Sequence, residues 1–105
     1  AWFLVVGFGM LRSYSPFSAF RRTAEVSYFI HPDFTGKGKG KLLLDHLCMK
    51  GKAMGIETVI AGISSHNVIS ILFHERNGFA HAGRISRAGK KFGEDFDVVL
   101  MQKFL

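Results

Sequence analysis

The chain has one cysteine, Cys48, in 105 residues, so it cannot close an internal disulfide. With Leu44, Leu47 and Met49 around it, the thiol reads as a half-buried helix residue in a reducing compartment, and the expected location is cytoplasmic. No apolar run reaches the roughly 18 to 20 residues needed to cross a bilayer, so no membrane partner is expected. The apolar stretch 2–10 has neither a basic leader nor a small-residue cleavage site, and reads as a strand. Cys-x-x-Cys and His-x-x-x-His pairs are absent, and His31, His46, His66 and His81 share no ligand spacing, so no metal is expected. Internal repeats, low-complexity tracts and linkers are also missing, which leaves residues 1–105 as a single domain. Acidic residues are few, 8 against 14 Lys and Arg, for a net charge of +6. That balance favours an acidic ligand, such as a cofactor with several phosphates. Nucleic acid is the runner-up, disfavoured because most aromatics sit in strand-like apolar runs and not among the basic residues.

What is present is enough to build a core. Hydrophobic residues make up 48% of the chain and include 11 phenylalanines, so disorder is excluded. Residues 2–11 are apolar on both alternating faces, which predicts one central strand covered on each side. A polar loop over 12–22 leads to a strand over 24–30, ended by His31-Pro32. Leu43, Leu44, Leu47, Cys48 and Gly51 then follow helical spacing, with Lys41, Asp45, His46, Lys50 and Lys52 on the other face and Gly55 as a stop. A β-branched strand over 58–63 completes a right-handed parallel strand, helix, strand unit. Asn67 caps a second helix running to about residue 77, and strands over 79–86 and 96–104 follow, joined by a loop over 87–95.

The junction of the second strand and first helix carries the chemistry. Gly36, Gly38 and Gly40, with Lys37, Lys39 and Lys41 between and after them, stand where the backbone must turn tightly and open a helix. Free N–H groups and the positive end of the helix dipole make such a turn an anion site. A nucleotide-binding P-loop is excluded, because Thr35 occupies its first glycine position and Leu42 follows the Gly40-Lys41 pair. A dinucleotide fingerprint is excluded too, with Lys41 at the third glycine position and Arg12 failing the alternative start at Gly7.

The Gly-x-Gly-x-Gly turn after a His-Pro-Asp strand end resembles motif A of the GNAT superfamily of acetyltransferases. The segment from Asn67 through Ser70, His74 and Glu75 to Gly78-Phe79 resembles its motif B, Asn-x-x-Ser-x-x-x-(His/Tyr)-Glu-x-x-Gly-Phe. Phe20-Arg-Arg-Thr23-Ala-Glu25, Leu-Phe-His74-Glu75, and Gly89 to Gly93 with Asp97-Val98 are similar to the phosphinothricin acetyltransferase branch. The resemblance implies an α/β fold of GNAT type, a mixed central sheet flanked by helices. A further strand, helices and another strand would stand before Trp2, so the chain is expected to be an N-terminally incomplete member.

The resemblance also implies the activity: an N-acetyltransferase moving an acetyl group from acetyl-CoA to the primary amine of a small amino-acid-like substrate. Cofactor contacts would come from the backbone of Tyr28, Phe29 and Ile30, from the turn Gly36, Lys37, Gly38, Lys39, Gly40 and Lys41, and from Asn67 and Ser70. Glu25 would take the amine proton, and His74 would share that role or protonate the departing thiolate, since imidazole titrates near neutrality. Phe20, Lys91 and Phe92 would line the substrate side, Lys91 as carboxylate partner. The family commonly forms homodimers through its C-terminal strands, and an apolar edge at residues 2–11 also invites pairing. Two rivals stay open: a degenerate relative that binds acyl-CoA without catalysis, and a small basic nucleic-acid-binding module.

Overall fold

In the computed structural model, residues 2–30 and 38–105 are described. The first departure from the sequence reading comes at Gly7, whose φ of +56° turns the chain back on itself. Glycine takes this backbone region without the Cβ penalty, and two-residue hairpin turns require it. The stretch expected as one strand is therefore two, β1 (Phe3–Val6) and β2 (Gly9–Ser13), paired antiparallel from Val6 opposite Gly9 to Phe3 opposite Arg12. A short 3-10 turn at Ser18–Phe20 leads to β3 (Thr23–Tyr28), then α1 (Lys39–Ala53), β4 (Thr58–Ser64), α2 (Val68–Arg76), β5 (Ala80–Lys91) and β6 (Glu94–Phe104).

The six strands form one mixed sheet in the order β1-β2-β3-β4-β6-β5, with β3 and β4 parallel and every other pair antiparallel. The expected strand, helix, strand unit is therefore present. The expected central position of the N-terminal strand is not: β1 is an edge, and Phe3 is 72% exposed. Alternating residues divide the sheet into two faces. Leu11, Ala24, Val26, Val59, Ala61, Ile63, Val99 and Met101 point to one of them and form the core with Leu43, Leu44, Leu47 and Cys48 of α1. Phe79, just after α2, joins the same cluster, and Ile71 and Phe73 pack against it, so both helices lie on this face. The opposite face carries Phe3, Val5, Ile85 and Phe104, all exposed, and among the described residues no helix covers it.

The C-terminal hairpin is longer than expected because the predicted loop over 87–95 is mostly strand. Arg87 takes a φ of +51° within β5, where the pairing with β6 shifts register between Ile85 and Gly89. Asp97 of β6 secures this bulge: one carboxylate oxygen accepts the Arg87 backbone N–H at 2.9 Å, the other the Arg84 Nε–H at 2.6 Å. Both bonds favour the ionised form, the Arg87 N–H most, and hold the carboxyl below the usual carboxylate range. A group whose folded pKa is depressed stabilises the fold above its unfolded pKa, and that stabilisation fades as pH falls through the folded value. Acidification below about pH 4 should therefore loosen the bulge. Amide hydrogen exchange around Arg87 should speed up with acid beyond the intrinsic trend in the parent, but not in Asp97→Asn; identical pH dependence in the two would reject this role.

Candidate active site

The parallel pairing of β3 with β4 runs only from Thr23 opposite Thr58 to Glu25 opposite Ile60. Beyond it each strand keeps its outer partner, β3 with β2 as far as Tyr28 and β4 with β6 as far as Ser64. The sheet consequently opens into a wedge at the carboxyl ends of its parallel strands, where ligands of α/β sheets commonly bind. A cavity of about 300 Å³ occupies it, lined by both strands and by Asn67, Ser70 and His74 from the α2 side.

Hydrogen-bond alternation tells which backbone groups face the wedge. Phe29 donates its N–H to the Phe8 carbonyl at 2.7 Å, and Tyr14 donates to the Thr23 carbonyl at 3.2 Å. In an antiparallel ladder every second residue bonds to the same neighbour, so Thr23, Glu25, Ser27 and Phe29 are turned to β2, whereas Val26 and Tyr28 direct N–H and C=O into the wedge. On the other wall Leu105 donates to the Glu57 carbonyl at 2.9 Å, which turns odd-numbered residues to β6 and leaves Gly62 and Ser64 facing inward. An extended ligand with amide groups could therefore add to β3 as a strand would. Of the three residues expected to supply this edge, Tyr28 does. Phe29 commits its N–H to Phe8, and Ile30 is the last described residue before the turn. Val26, Gly62 and Ser64 are additions that only the ladder reveals.

Glu25 and His74 both stand on the lining of this cavity. The Glu25 carboxylate is ion-paired with Arg12, directly opposite on β2, with Nε–H donating at 3.1 Å and the Nη2 group closer still. No local motif marks Arg12; the β2–β3 pairing alone brings it to Glu25. His74 is 1% exposed and bonded at both ring nitrogens, Nδ1 to the Ser70 carbonyl at 2.7 Å and Nε2 to the Tyr28 hydroxyl at 3.1 Å. Asn67 caps α2, its side-chain oxygen accepting the Ser70 N–H at 3.2 Å, and so holds the helix start at the cavity wall.

At the start of α1, Gly38 is the N-cap, in the left-handed region at φ +74°, and offers no side-chain cap; no acid lies in the first turn. Leu42 donates to the Gly38 carbonyl at 3.1 Å, so the N–H groups of Lys39, Gly40 and Lys41 precede the helix ladder. These donors fit a phosphate-bearing cosubstrate. Lys41 is less available than expected, its ammonium being paired with Asp45 at 2.7 Å. Gly36 and Lys37 lie outside the described residues. The expected substrate-side residues do not line the wedge: Phe20 packs edge-on against Tyr14, and Lys91 and Phe92 sit at the β5–β6 tip, Phe92 being 94% exposed. Among the described residues no group of three or more His, Cys, Asp or Glu could hold a metal, and no helix is long and apolar enough to cross a membrane.

Comparison with known proteins agrees with this geometry. The model of the acetyltransferase (GNAT) family matches residues 4–79. The chain is 38% identical, over 93% of its length, to an L-methionine sulfoximine/L-methionine sulfone acetyltransferase of Pseudomonas aeruginosa. It is 37% identical, over 94%, to a phosphinothricin N-acetyltransferase of Alcaligenes faecalis. It spans 57% and 51% of those two relatives, little more than half of their length. A GNAT-superfamily phosphinothricin acetyltransferase from Sinorhizobium meliloti, solved in complex with AcCoA, superposes with a TM-score of 0.83 at 32% identity, over 92% of this chain and 52% of that one. With a splayed parallel strand pair, a glycine-capped helix and both sequence motifs in place, the chain belongs to the acetyltransferase (GNAT) family.

Proposed function

We propose that this chain carries the core of an acetyl-CoA-dependent N-acetyltransferase acting on the primary amine of a small amino-acid-like substrate, of the methionine sulfoximine or phosphinothricin kind. The observation that carries the reading is the wedge itself, which puts a carboxylate and an imidazole on the lining of one cavity beside the inward-facing backbone of Val26 and Tyr28. The names of its relatives support the substrate class.

Acetyl-CoA supplies an activated thioester. Val26 and Tyr28 offer the edge that aligns an amide-bearing chain, and the N–H groups of Lys39, Gly40 and Lys41 at the start of α1 offer donors for phosphate. The amine must lose a proton before it can attack. Glu25 accepts it, directly or through water, and Arg12 fixes the direction of the carboxylate. His74, on the opposite wall, serves the second proton transfer: in its protonated form it gives the Nε2 proton to the leaving thiolate and returns to the neutral ring. The test is amine-dependent thiol release from acetyl-CoA over a panel containing methionine sulfoximine, phosphinothricin and a polyamine. Release with the first two supports the reading, and binding of acetyl-CoA without release to any amine would favour a non-catalytic acyl-CoA binder.

A homodimer and a cytoplasmic location complete the proposal. The edge strands β1 and β5 and the open sheet face, with Phe3 and Phe104 each more than 70% exposed, support self-association, and the buried Cys48 thiol suits a reducing compartment. Light scattering should give twice the monomer mass of 11.7 kDa; a monodisperse monomer would remove the dimer.

A further inference from the structure

We propose that Tyr28 is a positioning residue for His74, its hydroxyl holding the imidazole in one tautomer and one orientation with Nε2 as the basic nitrogen. The proposal rests on the reading of the wedge as an acetyl-transfer site and adds a side chain whose backbone alone had been given a role there.

A carbonyl oxygen can only accept, so the 2.7 Å contact of Nδ1 with the Ser70 carbonyl places the ring proton on Nδ1. The Ser70 hydroxyl, 3.4 Å from the same nitrogen, does not alter that choice. In the neutral ring Nε2 then has a lone pair, and the Tyr28 hydroxyl at 3.1 Å donates to it. The ring plane is fixed as well: Phe73 and Phe79 meet it edge-on at 5.2 and 5.0 Å, and the Tyr28 ring lies 5.7 Å away at 59°. Strand alternation explains why Tyr28 can reach it. Its side chain shares the face of Ala24 and Val26, the face on which α2 packs.

Burial pushes the Tyr28 phenol far above its ordinary range, with Cys48 of α1 adding to the effect, so the hydroxyl keeps its proton at any working pH. A hydroxyl can also turn from donor to acceptor. When Nε2 takes up a proton, Tyr28 accepts from it, and the same two atoms satisfy both protonation states without movement of the ring. Such a preset ring needs no reorganisation during proton transfer.

Tyr28→Phe removes the hydroxyl and keeps the aromatic ring. It should lower kcat about tenfold, leave the KM for acetyl-CoA within about a factor of two, and leave the melt cooperative. Because Tyr28 acts through the imidazole, the same change in a His74→Gln background should have no further effect on kcat, whereas an independent packing role would multiply the two losses. Nitrogen-15 spectra of the parent should show His74 protonated at Nδ1 and hydrogen-bonded at Nε2, with the Nε2 signal moving in Tyr28→Phe. Unchanged kcat, multiplying losses or a static Nε2 signal would each overturn the role of Tyr28 while leaving acetyl transfer standing. A parent with no turnover would overturn the functional reading and this one with it.

Discussion

Glu25→Gln should cut turnover by about 10²- to 10⁴-fold, the range for loss of a general base, with acetyl-CoA affinity within a few-fold of the parent. The substitution keeps the size and planarity of the side chain and removes the charge that can take a proton from an ammonium group. It also breaks the ion pair with Arg12, which leaves the guanidinium without its carboxylate. Since Arg12 is about half exposed, water can solvate it, so stability should change by no more than about 1 kcal/mol. Rapid-quench measurement of the acetyl-transfer step separates the base from a positioning effect. A base removed should be partly replaced by raising pH, as more of the amine becomes neutral without help. A turnover within a few-fold of the parent at neutral pH would take Glu25 out of the mechanism.

Gly38→Val should weaken acetyl-CoA binding tenfold or more, equivalent to about 1.4 kcal/mol. Gly38 stands at φ +74° as the N-cap of α1, and a Cβ built there meets no atom of the described residues within 4 Å, so the expected cost comes from the backbone. A residue with a side chain loses roughly 1 to 2 kcal/mol in the left-handed region, and a β-branched one is an outlier there. Valine would therefore draw the N-cap out of this conformation and turn the N–H groups of Lys39, Gly40 and Lys41 away from a common point. Gly38→Asn is the control, because asparagine tolerates the left-handed region. If backbone shape is what matters, it should bind acetyl-CoA better than the valine variant. Equal affinity of parent and valine variant, read by calorimetry, would show that the turn is not the phosphate site.

The helical elements and their caps were legible in the sequence because they depend on neighbours close along the chain. Leu43, Leu44 and Leu47 follow the helical period and are buried in α1 as expected, Cys48 is buried with them where half-burial is expected, and Asn67 caps α2 through a bond to Ser70, three residues away. Glu25 and His74 stand out in the sequence for another reason, since each lies in a local motif that resembles the family's. The β hairpins depart from the sequence expectation where a single backbone angle decides the outcome. Gly7 at φ +56° split one apolar run into β1 and β2, and Arg87 at φ +51° became a bulge in β5 held by Asp97, where a loop had been expected. Hydrophobic period alone does not tell a turn inside an apolar run from a continuous strand.

Only the tertiary structure decided how the site is assembled, because pairing across a sheet joins residues far apart in sequence. Arg12 meets Glu25 across a strand register, and Tyr28 meets His74 across the gap between sheet and helix, 46 residues away along the chain. The wedge depends on where the β3–β4 ladder stops, at Glu25 and Ile60, while the outer ladders continue. Nothing in either strand's own sequence marks that point. By itself the sequence determined which residues could do the chemistry, since side-chain type and local motif are one-dimensional properties. The sheet decided which of them share a cavity and which backbone groups face it, since register and splay arise only when separate segments pair.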